Sequence, residues 1–160
     1  TTLLQLSKGY SIISNGGYEI TPTLLKKEKL QRQRVLNENL SRTINPILRK
    51  IVSTKEGTAG FANVKGYEIG GKTGTADQPS KGGYSKKKVN TFASVFPTSD
   101  PKFVLAVMLD EPKANREFVY HYRDDRNPYK GNWRNTAGWT TVWVTGQIMD
   151  KIGPILATKY

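Results

Sequence analysis

The chain has 160 residues and a formal net charge of +12, because 25 lysines and arginines face 13 acidic residues. It contains no cysteine, which excludes disulfide bonds, iron–sulfur centres and thiolate zinc sites. His121 is the one histidine, so neither a histidine-rich metal site nor an easily recognised Ser-His-Asp triad is available, and we predict no metal and no cofactor.

Two helices are predicted in the first third of the chain. Thr2 can cap the first helix and Gln5 completes a capping box, and Asn15-Gly16-Gly17 is a stop signal. A short strand is predicted at residues 18–21, and residues 26–39 are interpreted as an exposed, charged connection or ribbon. The second helix is predicted at about residues 41–55, with one apolar stripe and Gly57 as its C′ residue.

Strands and turns are predicted to dominate the middle of the chain. One strand is expected near residues 67–76, and a polar loop follows at residues 77–88. Residues 90–96 and 102–109 form the best strand pair, since the residues 98–101 between them have turn chemistry. Residues 110–135 are predicted to be a long surface loop, and residues 140–156 a final helix with one apolar side.

The predicted order is helix, strand, helix, three strands and helix, which lacks strict βαβ alternation. Strands joined by hairpins and packed under terminal helices are typical of an α+β protein. The sequence therefore predicts an α+β fold in which helices pack on an antiparallel sheet.

The most informative motif is Gly70-Gly71-Lys72-Thr73-Gly74-Thr75-Ala76, which places a lysine among glycines and two hydroxyl side chains. On a β-strand, residues i and i+2 face the same way, so Thr73 and Thr75 are predicted to present their hydroxyls to one face. The glycines leave the backbone open to a ligand. Such a strand edge can hold a carboxylate, and its N–H groups can stabilise a developing oxyanion.

A phosphate-binding P-loop is the first interpretation of this core. Residues 66–73 match G-x-x-x-x-G-K-[ST], and residues 103–110 resemble a strand that ends in a magnesium-binding aspartate. A P-loop lysine opens a helix, however, and here Gly74 and Pro79 follow, which disfavour a helix by about 1 and 3 kcal/mol. Glu68 would also repel phosphate. The flanking sequence therefore favours a strand through Lys72.

The second interpretation is a K-T-G motif, which requires a strand, and a long stretch of the chain resembles the penicillin-binding proteins that carry it. The matching segments are Leu4-Gln5-Leu6, Asn15-Gly16-Gly17, Thr21-Pro22, Glu56-Gly57-Thr58-Ala59, residues 66–76, 90–97 and 107–112, and Thr136-Ala137-Gly138-Trp139. The chain is most similar to class B, division-type peptidoglycan D,D-transpeptidases. The resemblance implies the C-terminal portion of a β-lactamase/transpeptidase-like fold.

This resemblance implies a role for each residue of the motif. In the family, a serine attacks the penultimate D-alanine carbonyl of a stem peptide and passes the acyl group to a neighbouring amine; β-lactams are attacked in the same way. Lys72 would supply positive charge near the substrate carboxylate and help proton movement, and the Thr73 and Thr75 hydroxyls would bind that carboxylate. The Thr75 N–H would be an oxyanion donor, and Gly74 would let the acyl group lie against the strand.

The family's other two active-site motifs are missing. No S-x-N occurs, and Ser85-Lys86-Lys87-Lys88 matches S-x-x-K only as a string in a predicted polar loop after K-T-G. Residues 1–4 begin within a predicted helix without a basic segment, which we interpret as a cut. We therefore expect residues 1–160 to be the C-terminal fragment of a transpeptidase domain without its nucleophile, inactive in isolation.

The resemblance also implies partners and a location. The complete domain would bind peptidoglycan stem peptides and β-lactams, and its parent would meet cell-division proteins on the periplasmic side of the bacterial inner membrane. The longest apolar run, residues 103–109, is too short for a membrane segment in this chain. A basic nucleic-acid-binding module is the remaining alternative, but the scattered basic residues and the lack of a recognition motif argue against nucleic acid. Surfaces left by the cut are expected to favour self-association.

Overall fold

A three-stranded antiparallel sheet, a two-stranded one and three helices build the described fold in the computed structural model, which describes residues 1–25 and 33–159. The elements are α1 (Leu3–Ser14), α2 (Glu38–Ser53), a 3-10 turn (Gly60–Ala62), β1 (Gly70–Ser80), β2 (Gly83–Phe96), β3 (Phe103–Asp110), β4 (Val119–Tyr120), β5 (Tyr129–Lys130) and α3 (Thr141–Ala157). This is the predicted α+β class. None of the helices in the described ranges has the length and apolar character that crossing a bilayer requires.

The first helix begins at the predicted capping box. The Gln5 N–H donates to Thr2 Oγ1 over 3.1 Å, and the Thr2 N–H donates to Gln5 Oε1 over 2.8 Å. Two of the N–H groups that a helix start leaves unpaired are thereby satisfied. The prediction for the start of α1 is confirmed, and its last turn is closed by Asn15 as predicted.

The second helix begins three residues before its predicted start, because Asn37 caps it by accepting a hydrogen bond from the Asn39 N–H. Its C-cap is Thr54, so the prediction that Gly57 is the C′ residue is wrong. The glycine is needed for another reason: a Cβ at Gly57 would clash with the backbone oxygen of Ile51. The loop after α2 therefore lies directly against the helix backbone.

The short strand predicted at residues 18–21 is only an isolated antiparallel bridge between Tyr18 and Arg34. The prediction is wrong in length, because Pro22 follows closely and cannot donate to a ladder. Residues 26–32 of the predicted charged connection lie outside the described residues. The Val35 N–H donates to the Gly17 carbonyl over 2.8 Å and ties the return of the connection to the end of α1.

The sheet has the order β1-β2-β3, with β2 in the centre. The predicted hairpin between β2 and β3 is confirmed, with Phe96 opposite Phe103. The predicted polar loop at residues 77–88 is wrong, because β1 and β2 continue as a long hairpin that pairs Asp77 with Lys88 and Ser80 with Gly83. Both faces of this extension are largely exposed, so its sequence lacks the apolar alternation that normally reveals a strand.

The central strand is buried on both faces. Phe92 is fully buried in a core cluster with Val142 and Met149 of α3. The alternate residues Ala93 and Val95 are also buried, and alternation turns them to the opposite face. Helices α1 and α2 pack on that second face, where α2 lies against Gly70 of β1. The sheet is therefore the middle layer of the described fold.

The region predicted as a surface loop, residues 110–135, contains the short antiparallel pair β4 and β5, so that prediction is partly wrong. Tyr120 on β4 is only 7% exposed and belongs to the core cluster. Phe118 contacts Trp143 edge to face at 5.3 Å, and Phe61 lies 5.4 Å from Tyr120. In this region aromatic rings form the buried contacts that aliphatic residues usually form. The scarcity of aliphatic residues was the reason for predicting a loop.

Gly70 and Gly9 give a matched pair of substitutions that tests this packing. A Cβ at Gly70 would lie 2.5 Å from Thr98 Cγ2, 2.8 Å from the Arg49 nitrogen and 2.9 Å from the Leu48 carbonyl carbon. We expect Gly70→Ala to lower the free energy of unfolding by about 1–3 kcal/mol through overpacking. In α1, a Cβ at Gly9 would meet nothing within 4 Å, so Gly9→Ala should raise the free energy of unfolding by about 1 kcal/mol. Denaturant titration measures both, and an unchanged Gly70→Ala variant would contradict the close contact between α2 and β1.

Candidate functional site

The backbone is extended through Lys72, as the sequence predicts. Lys72 and Thr73 lie within the eleven-residue strand β1, and Lys72 pairs with Ala93 of β2. No helix begins at the lysine, so the P-loop interpretation is wrong. In the described ranges β1 pairs only with β2, so its other side forms an edge of the sheet.

Thr73 and Thr75 face the same cavity, which confirms the prediction that they share a face. The cavity has a volume of about 230 Å³. Its lining residues come from the loop after α2, from β1, from the segment that follows β4 and from the segment before α3. They are Gly57, Thr58, Thr73, Thr75, Tyr122, Thr136, Gly138 and Trp139. Four of them are threonines, so hydroxyl groups supply most of its hydrogen-bonding capacity.

The hydroxyls of Thr73 and Thr75 each already have one partner in the protein. Thr75 Oγ1 accepts a hydrogen bond from the Ala137 N–H at 3.0 Å. Thr73 Oγ1 lies 3.2 Å from Thr58 Oγ1, and either oxygen can be the donor. In the described residues the Thr75 O–H has no protein acceptor, so it remains available as a donor.

Lys72 and Gly74 lie on the opposite face of β1 from the two threonines. The Lys72 side chain is exposed, and its ammonium group donates to the Thr73 carbonyl oxygen at 2.9 Å. A Cβ at Gly74 would lie 2.5 Å from Thr91 Oγ1 on the neighbouring strand. The structure therefore brings Thr73 and Thr75 together in the cavity and places Lys72 at the edge of the same strand.

The segment before α3 is held against the strands by hydrogen bonds to a buried asparagine. Asn90 is fully buried and opposes Thr75 in the register. Its Nδ2 donates to the Asn135 carbonyl at 2.6 Å and to Thr140 Oγ1 at 2.7 Å. Together with the bond between Thr75 and Ala137, these contacts fix one wall of the cavity relative to β1 and β2.

Two arginines lie behind the aromatic walls of the cavity. The Arg126 guanidinium is 3.8 Å from the Tyr122 ring centre, and that of Arg134 is 4.1 Å from the Trp139 ring centre. Burial raises the pKa of the Tyr122 phenol, and the positive charge of Arg126 partly opposes the shift. Arg126 forms an ion pair with Asp124 at 2.8 Å. Arg134 forms no ion pair within the described part of the chain.

Several of these wall residues are not among the site residues predicted from the sequence. Thr58, Thr136 and Trp139 lie in segments that carry the family resemblance, and this was the one signal that could have marked them. Tyr122 lies in the region predicted to be a loop, and nothing in the sequence pattern indicated its position. Groups of three or more side chains able to hold a metal ion are absent from the residues that the structure describes.

Two strings match S-x-x-K, and neither has the expected geometry of a nucleophile beside a lysine. Ser85 lies on β2 rather than in a loop, and its Oγ accepts from the Lys87 N–H at 3.2 Å. The Lys88 ammonium pairs with Asp77 at 2.8 Å.

The second string is Ser99-Asp100-Pro101-Lys102 in the turn between β2 and β3, and it is not among the predictions made from the sequence. The Ser99 hydroxyl donates to the Glu68 carboxylate, and Lys102 pairs with Asp100 at 2.8 Å. The ammonium groups of both strings therefore contact carboxylates instead of the serine hydroxyls.

Comparison of the sequence with known proteins identifies relatives across most of the chain. Residues 1–137 match the model of the penicillin binding protein transpeptidase domain. The probable peptidoglycan D,D-transpeptidase FtsI of Caulobacter vibrioides is 30% identical over 169 aligned positions, which cover 98% of this chain and 26% of that protein. The peptidoglycan D,D-transpeptidase FtsI of Buchnera aphidicola is 36% identical over 126 positions, which cover 73% of this chain and 21% of that protein.

Solved structures agree with this assignment. The transpeptidase domain of penicillin-binding protein 3 from Burkholderia pseudomallei matches with a TM-score of 0.73 and 25% identity, over 97% of this chain and 43% of that one. Penicillin-binding protein 3 from Mycobacterium tuberculosis, in complex with ampicillin, matches with a TM-score of 0.68 and 26% identity. The match covers 96% of this chain and 35% of that one. The chain thus spans about a quarter of the curated relatives and less than half of the solved domains. It belongs to the penicillin-binding protein transpeptidase family and has the β-lactamase/transpeptidase fold of these neighbours.

Proposed function

We propose that this chain supplies the substrate-binding strand of a peptidoglycan D,D-transpeptidase, which cross-links stem peptides through an acyl-serine intermediate in septal wall synthesis. The observation that carries the proposal is the pair of hydroxyls, Thr73 and Thr75, on one face of an extended edge strand beside Lys72. The names of the relatives, which are peptidoglycan D,D-transpeptidases of the FtsI type, support the reaction class.

The two hydroxyls are suited to bind the terminal carboxylate of a stem peptide. A hydroxyl has one O–H donor and two acceptor lone pairs. Because the Ala137 N–H occupies a lone pair of Thr75, the hydroxyl is held in place while its O–H can donate to an anion. The contact between Thr73 and Thr58 leaves one O–H of that pair for the same anion. Hydrogen bonds to a charged acceptor are about twice as strong as neutral ones.

Lys72 supplies the positive charge in this proposal. One of its three N–H donors goes to the Thr73 carbonyl, so two remain for a substrate carboxylate or a serine oxygen. The Thr75 backbone N–H serves as one oxyanion donor, and a donor of this kind is worth roughly 3 kcal/mol of barrier. The Thr91 hydroxyl occupies the space beside Gly74 on the face opposite the cavity, so the acyl-group role that the resemblance implied for this glycine is not part of the proposal.

The nucleophile is proposed to come from a part of the protein outside these 160 residues. No S-x-N occurs in the chain, and both S-x-x-K strings are engaged elsewhere. Solved neighbours from Mycobacterium tuberculosis hold ampicillin and aztreonam. We propose that β-lactams bind the same hydroxyl pair here, and that the parent protein works with cell-division partners on the periplasmic side of the inner membrane.

Replacement of Lys72 tests the proposed role of the strand. In the protein that carries the nucleophile, we expect Lys72→Ala to slow acylation by a fluorescent penicillin by about tenfold or more, because charge stabilisation and proton transfer are both weakened. Lys86→Ala, on the exposed part of β2, is the matched control and should leave the rate unchanged. Equal acylation rates for the two variants would remove Lys72 from the mechanism.

The isolated chain should not react covalently with a β-lactam. We expect intact-protein mass spectrometry to show no added mass after incubation with benzylpenicillin, since neither serine string presents an activated hydroxyl. A stable adduct on Ser85 or Ser99 would contradict the assignment of the nucleophile to a region outside the chain. A Ser85→Ala, Ser99→Ala variant provides the control for non-specific acylation.

Thr75 is predicted to have a structural role in addition to its role in binding. Thr75→Val would leave the buried Ala137 N–H without its acceptor, and we expect a loss of about 1–3 kcal/mol in the free energy of unfolding. Thr75→Ser keeps the oxygen and should cost less than Thr75→Val. Chemical denaturation of the two variants measures the difference. Equal stabilities would show that Thr75 does not anchor the segment before α3.

A further inference from the structure

Trp133 is an exposed tryptophan with an unusual backbone conformation. Its side chain is 83% exposed, although tryptophan is highly buried on average. Its φ angle is +58°, in the left-handed region where glycine and asparagine are favoured and bulky residues are rare. Exposure and strain both carry a cost, and neither is compensated by burial of the indole ring. Such an outlier supports a hypothesis of function.

The turn that presents Trp133 is firmly attached to the protein. The Arg134 N–H donates to the Gly131 carbonyl at 3.1 Å, which closes the turn, and the Gly131 N–H donates to the Phe118 carbonyl at 2.7 Å. A Cβ at Gly131 would clash with the backbone oxygen of Asn115, so two chain segments touch at this glycine. The indole ring is therefore displayed from a fixed base.

The guanidinium group beside the indole ring matches the chemistry of a sugar. The Arg116 guanidinium lies 5.7 Å from the ring centre and Asn132 precedes Trp133 in the chain, whereas the Arg134 guanidinium lies over Trp139. The C–H face of a hexose packs on an aromatic ring, and its hydroxyls take hydrogen bonds from amide and guanidinium groups. A membrane surface would instead require a broader apolar patch, whereas the neighbours of Trp133 in sequence are polar.

Trp133 is also close to the candidate site. Thr136 lines the cavity that contains Thr73 and Thr75, and it follows Trp133 by three residues. Three residues span at most about 11 Å, so a ligand in the cavity can extend to the indole ring. A stem peptide bound at the hydroxyl pair is covalently attached to a glycan in peptidoglycan.

We propose that Trp133 forms a saccharide subsite, which binds an N-acetylhexosamine ring of the glycan that carries the stem peptide. This proposal rests on the proposed function and adds a second recognition element to it. The indole ring packs against the sugar, and the Arg116 guanidinium supplies hydrogen-bond donors beside it.

Two ligands separate the saccharide subsite from the peptide site. The full chain is titrated with a disaccharide-pentapeptide and with the same pentapeptide without sugar, and tryptophan indole N–H resonances report binding. We expect the glycopeptide to bind about tenfold more tightly than the pentapeptide. Trp133→Asn should abolish this difference and leave pentapeptide affinity unchanged, while Trp133→Tyr keeps an aromatic face and retains part of it.

Thermal unfolding distinguishes a binding role from a structural one. Asparagine tolerates the left-handed region, so Trp133→Asn should melt at the same temperature as the original chain or above it. A melting temperature lowered by several degrees would assign the ring a structural role and overturn the proposal. Equal affinity of the original chain for both ligands would overturn it too, as would a sugar-dependent gain that survives Trp133→Asn.

Two further outcomes separate this proposal from the proposed function. Trp133-dependent binding of the free disaccharide, without any binding of the pentapeptide, would support the saccharide subsite and contradict the proposed function. Failure of the free disaccharide and of the glycopeptide to bind would overturn the subsite. Vesicles of phosphatidylglycerol and phosphatidylcholine provide the last control, since Trp133-dependent binding to them without sugar binding would identify a membrane contact instead.

Discussion

Antiparallel pairing between β1 and β2 is the constraint on which the candidate site depends. A paired strand alternates its side chains, so Thr73 and Thr75 must point to one face while Lys72 lies on the other. A helix at this position would spread the same residues around a cylinder. The ladder to β2 therefore converts a short sequence motif into two hydroxyls on one face of a strand with a cation at its edge.

The site is shared between the sheet and the segment that leads into α3. Thr75 accepts the Ala137 N–H, and the fully buried Asn90 beside it holds Asn135 and Thr140. These bonds place one wall of the cavity at a fixed distance from the strand before any ligand arrives. Such preorganisation lowers the entropic cost of binding a ligand, because the polar groups of the cavity are already ordered before it binds.

The sequence predicted those parts of the fold that have a local signal. The capping box at Thr2 and Gln5, the hairpin between β2 and β3 and the extended backbone at Lys72 were all predicted from neighbouring residues, and the structure confirms them. The extension of β1 and β2 over residues 77–88 was missed, because an exposed hairpin buries neither face and has no apolar alternation.

The wall of the site was missed for a different reason. Tyr122 reaches the cavity through ring contacts with Phe61 at 4.0 Å and Tyr129 at 6.0 Å, partners 61 and 7 residues away in sequence. Contacts of this kind between distant rings leave no periodic pattern in the sequence. The aromatic residues of the predicted loop were visible, but their common packing against α3 and the 3-10 turn depends on the tertiary fold.

The net charge of the chain has little direct bearing on the site. Lys87 and Lys88 are paired with Glu111 and Asp77, so part of the basic excess is neutralised at an exposed hairpin. Beside the cavity, Asp124 neutralises Arg126, whereas the half-buried Arg134 has no carboxylate partner in the described ranges. Its guanidinium lies over Trp139, and the aromatic ring limits its hydration without removing its charge. One arginine in this position favours an anionic ligand more than many solvated lysines do, because water screens exposed charges far more strongly.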